Sequence, residues 1–193
     1  MKTDSSLTAL VAFVLVASMS ACGARSEKWQ EEVKLSDGRT IVTEREILFE
    51  GGGGEWATNP KGIKPKKYRI RFADPAGSGQ MIEWRSSKTD EGRWPEIPLA
   101  LDEESGQPTI FSLVAVSIGC EVYSKYVYRN GAWVEDVLPE KFEQHATNLF
   151  LRIGTDMPKF INLETKRKIN TGIEGRGYRR ALTQIGPARR VCG

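Results

Sequence analysis

The chain has a single histidine, three cysteines and, beyond its first 21 residues, no long apolar run. Each shortage removes a class of function. Cysteines at 22, 120 and 192 and one distant histidine, His145, do not assemble the four ligands of a structural zinc site, so no metal is expected. The motifs G-x-S-x-G, H-E-x-x-H and C-x-x-C are absent, which removes the motif-defined hydrolases, metalloproteases and dithiol oxidoreductases. Four glycines at 51–54 suggest a phosphate cradle. They precede Asn59-Pro60 and a lysine-rich strand, not a helix opened by Lys-Ser/Thr, so a loop is expected and no cofactor. Adjacent carboxylates at Glu31-Glu32 and Glu103-Glu104 could serve acid/base hydrolysis. Neighbours on a strand point to opposite faces, so each pair reads as solvated edge charge. Cys120 as a nucleophile would need His145 beside it, and His145 is expected on a helix surface.

What is present begins at the N-terminus. Leu7 to Met19 is a 13-residue apolar run. A membrane-spanning helix needs about 20 such residues. The run fits instead the apolar region of a secretory signal, followed by small residues open to a peptidase. Met19-Ser20-Ala21-Cys22 resembles the lipobox of bacterial lipoproteins. The resemblance implies a diacylglyceryl group on Cys22, cleavage just before it, and a protein held to a membrane through that lipid. Gly23 after the cysteine, where an inner-membrane retention signal would have Asp, implies the periplasmic side of the outer membrane. Met in place of the commoner Leu at 19, and Asp4 in a region with only Lys2 for basic charge, depart from the usual pattern.

Cleavage leaves 172 residues, Cys22 to Gly193, enough for one domain with its own core. Hydrophobic residues make up 39% and charged residues 27% of the chain, ordinary for a globular protein. The net charge of +3 conceals an asymmetry, because Lys159 to Gly193 carries nine basic and two acidic residues. Such an end could meet a polyanion. An exported chain rarely meets nucleic acid, so none is expected as a partner, and the segment reads as a solvated tail docked on an acidic body. With Cys22 lipidated, Cys120 and Cys192 remain as the disulfide candidates of an oxidising compartment.

Along the mature chain the apolar pattern has mostly period two. The expected organisation is a tether at 22–28, an antiparallel β domain at 29–158, and the basic segment at 159–193. Ser36-Asp37-Gly38-Arg39 and Asn130-Gly131 are hairpin turns. The second sets Tyr128 opposite Trp133. Glu44-Arg45-Glu46 suggests an edge strand with one wet face. Gly51–Lys66 is a loop, and Ile82 and Trp84 return against Tyr68, Ile70 and Phe72, with Glu83 facing Arg69 or Arg71. Thr109 to Gly119 is apolar on both faces and predicts a central strand. A helix is expected over about 140–153, opened by Pro139, and a second, shorter one from Asn162. The fold class is therefore mainly β, an antiparallel sheet or meander packed on a C-terminal helix.

Trp29-x-Glu31-Glu32-Val33-x-Leu35-x-Asp37-Gly38-Arg39-x-Ile41, the stretch Ile82-Glu83-Trp84-Arg85 and the cysteine-terminated tail resemble a group of uncharacterised bacterial lipoproteins. That group has no assigned activity, so the resemblance implies a β-rich envelope protein and no catalytic residue. The expected function is a non-catalytic binding or structural role at the envelope. Its contact surface would be the loops carrying Trp56 and Trp94, and its partner an envelope protein or glycan. The alternatives are an envelope hydrolase whose site only the fold assembles, and a small-ligand carrier.

Overall fold

The computed structural model describes residues 25–51, 63–88, 95–117, 120–138, 145–151, 157–171, 181–182 and 190–192. The protein is mainly β. One sheet is built from β1 (Arg25–Lys34), β2 (Thr40–Gly51), β3 (Ile63–Ala73) and β4 (Met81–Arg85), with β10 (Phe160–Ile161) added to the free side of β1. The other is built from β5 (Ile97–Glu104), β6 (Gln107–Ser117) and β7 (Cys120–Arg129). On the far side of β7 lie β8 (Ala132–Asp136) and β12 (Arg190–Cys192). A small pair joins β9 (His145–Ala146) to β11 (Ala181–Leu182). The helix is α1 (Leu163–Thr171).

Alternation along the strands decides how the two sheets meet. Trp29, Val33, Ile47, Phe49, Tyr68, Ile70, Phe72, Ile82 and Trp84 of the first sheet share one core with Leu101, Ile110 and Tyr126 of the second. The opposite face of the second sheet is buried too. Leu99, Phe111, Leu113 and Tyr123 pack there under Leu138 and Leu151. This is why β6 is apolar on both faces, and it lies between β5 and β7 as a central strand. The outer face of the first sheet carries a lattice of opposite charges: Lys28 and Arg69 on Glu46, Arg69 and Arg85 on Glu83, and Arg71 on Glu44.

The turns follow their residue types. Gly38 has φ of 91° and Asp37 accepts the Arg39 N–H at 2.8 Å. Asn130 and Gly131 have φ of 52° and 82°, the twisted two-residue turn that suits a hairpin. Tyr128 then stands opposite Trp133 with ring centroids 5.3 Å apart. Arg71 is the register partner of Glu83, while the ion pair runs diagonally from Arg69 at 3.4 Å.

Several expectations are corrected. Strand β1 begins at Arg25, inside the stretch expected as tether. Strand β2 lies between β1 and β3, and Arg45 is buried; its polar middle marks a charged core, not an edge. Of the stretch expected as loop up to Lys66, Ile63 to Lys66 are strand, with Pro65 facing Phe49 at a bulge that tolerates a missing N–H, and 52–62 lie outside the described residues. The helix over 140–153 does not form in its described part: 145–146 is strand, and 147–151 is irregular chain with a bend at Leu149. Leu149, Phe150 and Leu151 are all buried, whereas a surface helix buries only one stripe. The N–H of Phe150 donates to the Glu31 carboxylate rather than to a carbonyl one turn back. His145 therefore lies on a strand. The shorter helix does form, with Asn162 Oδ1 capping the Thr165 N–H at 2.8 Å. The basic segment contributes β10 to one sheet and β12 to the other.

The hairpin at 130–131 yields a direct test. A Cβ at Gly131 would meet nothing within 4 Å, so Gly131→Ala should lose only the backbone term of a left-handed residue, about 1–2 kcal/mol. Gly51→Ala, with the same open surroundings and no positive φ, should stay within about 0.5 kcal/mol. Denaturant midpoints at constant slope measure both.

Candidate functional site: two buried polar clusters

Inward-facing positions of a two-sheet core are normally apolar. Here Glu31 and Arg45 occupy two of them, and Lys166 of α1 joins them; all three are buried. The Glu31 carboxylate accepts from Arg45 Nη1, from Lys166 Nζ at 3.1 Å and from the Phe150 N–H at 2.9 Å. Lys166 Nζ also donates to the carbonyls of Glu32 and, at 2.8 Å, Asn148. The Arg45 guanidinium lies 5.3 Å from the centre of the Trp29 ring. Burial pulls the Lys166 ammonium below its ordinary range, Glu31 opposes that shift, and Arg45 adds to it. With three acceptors around its nitrogen, Lys166 is a clamp between β1, residue 148 and α1. Trp29 Nε1 and Arg45 Nε have no hydrogen-bond partner among the described residues. The neighbouring Glu32 turns the other way, and its carboxylate accepts the Leu163 N–H at 2.9 Å, anchoring the positive end of α1.

The second cluster surrounds Glu96, which is fully buried. One carboxylate oxygen accepts the N–H groups of Ser87 at 3.0 Å and Lys88 at 3.3 Å, while the other accepts Ser112 Oγ at 2.6 Å. The Glu96 N–H donates to the Lys88 carbonyl at 3.0 Å. Ser87 Oγ lies 3.3 Å from the Tyr126 hydroxyl. Lys88 Nζ donates to Ser124 Oγ at 2.7 Å and to Glu135 at 2.6 Å. A lysine on a serine hydroxyl suggests the Ser-Lys form of nucleophilic catalysis. The surroundings argue otherwise. Ser124 is wholly buried, and Lys88 Nζ is engaged by the Glu135 carboxylate as well as by the hydroxyl. The cluster works as a clasp. It ties Ser87 and Lys88 to Glu96 across the neck of the connection that carries Trp94.

The remaining candidates separate. Glu103 pairs with Arg39 at 2.9 Å and Glu104 with Lys125 at 2.7 Å, so neither acts with the other. Cys192 is the register partner of Cys120. Cys22, Trp56 and Trp94 lie outside the described residues. Among the described residues no group of His, Cys, Asp or Glu is placed to hold a metal ion, and no helix is long and apolar enough to cross a membrane. No family model, no curated protein and no solved structure matches the chain.

Sequence reading placed Glu31 and Arg45 at solvated edges, where the structure buries both, and passed over Lys166 and Glu96. For two of them a signal existed: Glu31 falls in phase with Trp29 and Val33, and Arg45 with Ile47 and Phe49. Lys166 is indistinguishable in sequence from Arg167 and Lys168, and Glu96 from any loop carboxylate.

Three outcomes follow from this chemistry. Glu31→Gln leaves two buried cations without their carboxylate and should cost about 3–5 kcal/mol. The triple change Glu31→Leu, Arg45→Met, Lys166→Met should cost less than the sum of the three single changes, as equilibrium unfolding would measure. Burial raises the Tyr126 hydroxyl above its ordinary 10.0. Its contribution is thus fully present below pH 10.0 and lost as pH climbs past that value, because only the unfolded chain releases the proton there. Tyr126→Phe should flatten the alkaline fall in stability.

Proposed function

We propose that the protein is a lipid-anchored, non-catalytic component of the bacterial cell envelope, held on the periplasmic side of the outer membrane, with one end of its β sandwich against the lipid. The observation that carries this reading is where the strands of the first sheet begin and end. Strand β1 starts at Arg25, three residues after Cys22, a span of about 11 Å at full extension. In register, Arg25 faces Phe49 and Gly51 faces Ile63, while β4 ends at Arg85 running toward the same end. The chain therefore leaves for Trp56 and returns at the end where a lipid on Cys22 would lie. The connection bearing Trp94 departs toward it as well. Arg25, Lys64, Lys66 and Lys67 outnumber Glu27 and Glu50 there. Basic charge and tryptophan are what a headgroup surface favours. The acid and base groups the fold gathers, around Glu31 and Glu96, are engaged in holding the sandwich together, which favours a binding or structural role over hydrolysis.

The test uses full-length protein from its native membrane. Its intact mass should equal Cys22 to Gly193 plus acyl chains, and Cys22→Ser should move the protein to the soluble fraction. In vesicles containing brominated lipid, tryptophan emission should be quenched, and the doubly substituted Trp56→Phe, Trp94→Phe chain should lose most of that quenching. An unacylated mass would overturn the anchor. An acylated protein with unaltered quenching in the double variant would keep the anchor and overturn the lipid-facing end.

A further inference from the structure

We infer that Cys120 and Cys192 form an intramolecular disulfide that locks the C-terminal strand onto the second sheet. The inference does not rest on the lipid anchor. It stands on register: β12 pairs antiparallel with β7, Arg190 with Val122, Val191 with Glu121 and Cys192 with Cys120. Directly opposed residues of antiparallel strands have Cα atoms about 4.5 or 5.5 Å apart. Both values lie inside the roughly 4.4–6.8 Å that a disulfide spans. Opposed residues also share a face of the sheet. The two cysteines are 72 positions apart in sequence and reach this pairing only through the tertiary fold.

The fold gives the bond something to do. Residues 125–129 of β7 are paired on this side by the hairpin strand β8, and residues 120–122 by β12. Strand β12 is three residues long, too short for its ladder alone to keep it seated. Behind it runs the segment that supplies β10, α1 and Lys166, so a covalent tie at Cys192 closes that segment between the two sheets.

Formation needs an oxidant, which is a disulfide donor of the glutathione or disulfide-oxidoreductase class. One cysteine thiolate attacks a donor sulfur, forming a mixed disulfide and expelling one donor thiol. The second thiolate then attacks the protein sulfur and expels the other. Two protein thiols are oxidised and one donor disulfide is reduced to two thiols.

The experiment uses the folded full chain carrying Cys22→Ser, exposed to oxidised glutathione. The expected product is a monomer two hydrogens lighter than its reduced form, whose digest links the peptide containing Cys120 to that containing Cys192. Trypsin cleavage after Arg176, Arg179, Arg180 and Arg189 should be at least tenfold slower in the oxidised chain than in the reduced one. Cys120→Ser and Cys192→Ser should each restore the fast cleavage and leave one thiol open to maleimide. Disulfide-linked dimers, stable glutathione adducts on both cysteines, or two thiols still free after oxidation would each overturn the inference. So would a bond that leaves tail cleavage unchanged, because the strand would then not be held by it.

Discussion

The carboxylate of Glu31 is the hinge pin of this architecture. It lies on the inner face of β1 and is met from three directions: by Arg45 across the sheet, by Lys166 from the helix, and by the Phe150 N–H from the chain that leaves the second sheet. No hydrophobic contact could specify that meeting so narrowly, because apolar packing tolerates sliding and rotation. A buried carboxylate does not, since any displacement leaves a charge without its counter-ion in a medium of low dielectric. The register of β1 on β2, the seat of α1 and the course of residues 147–151 are thereby made mutually dependent.

The same economy governs the strand edges. An exposed edge invites pairing with another chain. Here β10 covers part of β1. The free side of β5 meets Asn148, which accepts the Leu101 N–H and donates to the Leu101 carbonyl, and Leu149, which donates to the Leu99 carbonyl. Trp133 Nε1 reaches the Glu83 carbonyl of β4. Glu96 does the comparable task at the neck of a connection. Polar side chains thus substitute for missing ladder partners, and their hydrogen bonds are directed inward.

Antiparallel pairing of β1 to β4 determines which connections share an end of the first sheet. The opposite end is stitched by Arg39, which bonds Asp37, Glu103 and the Pro75 carbonyl, and by Asp102, which accepts from Ser36. One end is tied into a rigid cap of turns, and the other carries the longer connections.

Sequence alone determined what depends on neighbours along the chain. The hairpins at 36–39 and 130–131 were legible because their glycines and Asn130 must take positive φ, whatever surrounds them. The doubly buried β6 was legible because its apolar residues occupy both faces. The cap at Asn162 was legible because its oxygen serves a group three residues away. The tertiary structure alone decided the rest. Leu149 falls at helical spacing with Phe142, Ala146 and Ile153 in sequence, yet 147–151 is not helical, because the Glu31 carboxylate and the edge of β5 offer its backbone better partners than its own helix would. Arg45 reads as surface until the facing sheet closes over it, and Lys166 becomes a core residue while its neighbours Arg167 and Lys168 stay in water. Charge burial is a property of what packs against a residue, and that information lies far away in the chain.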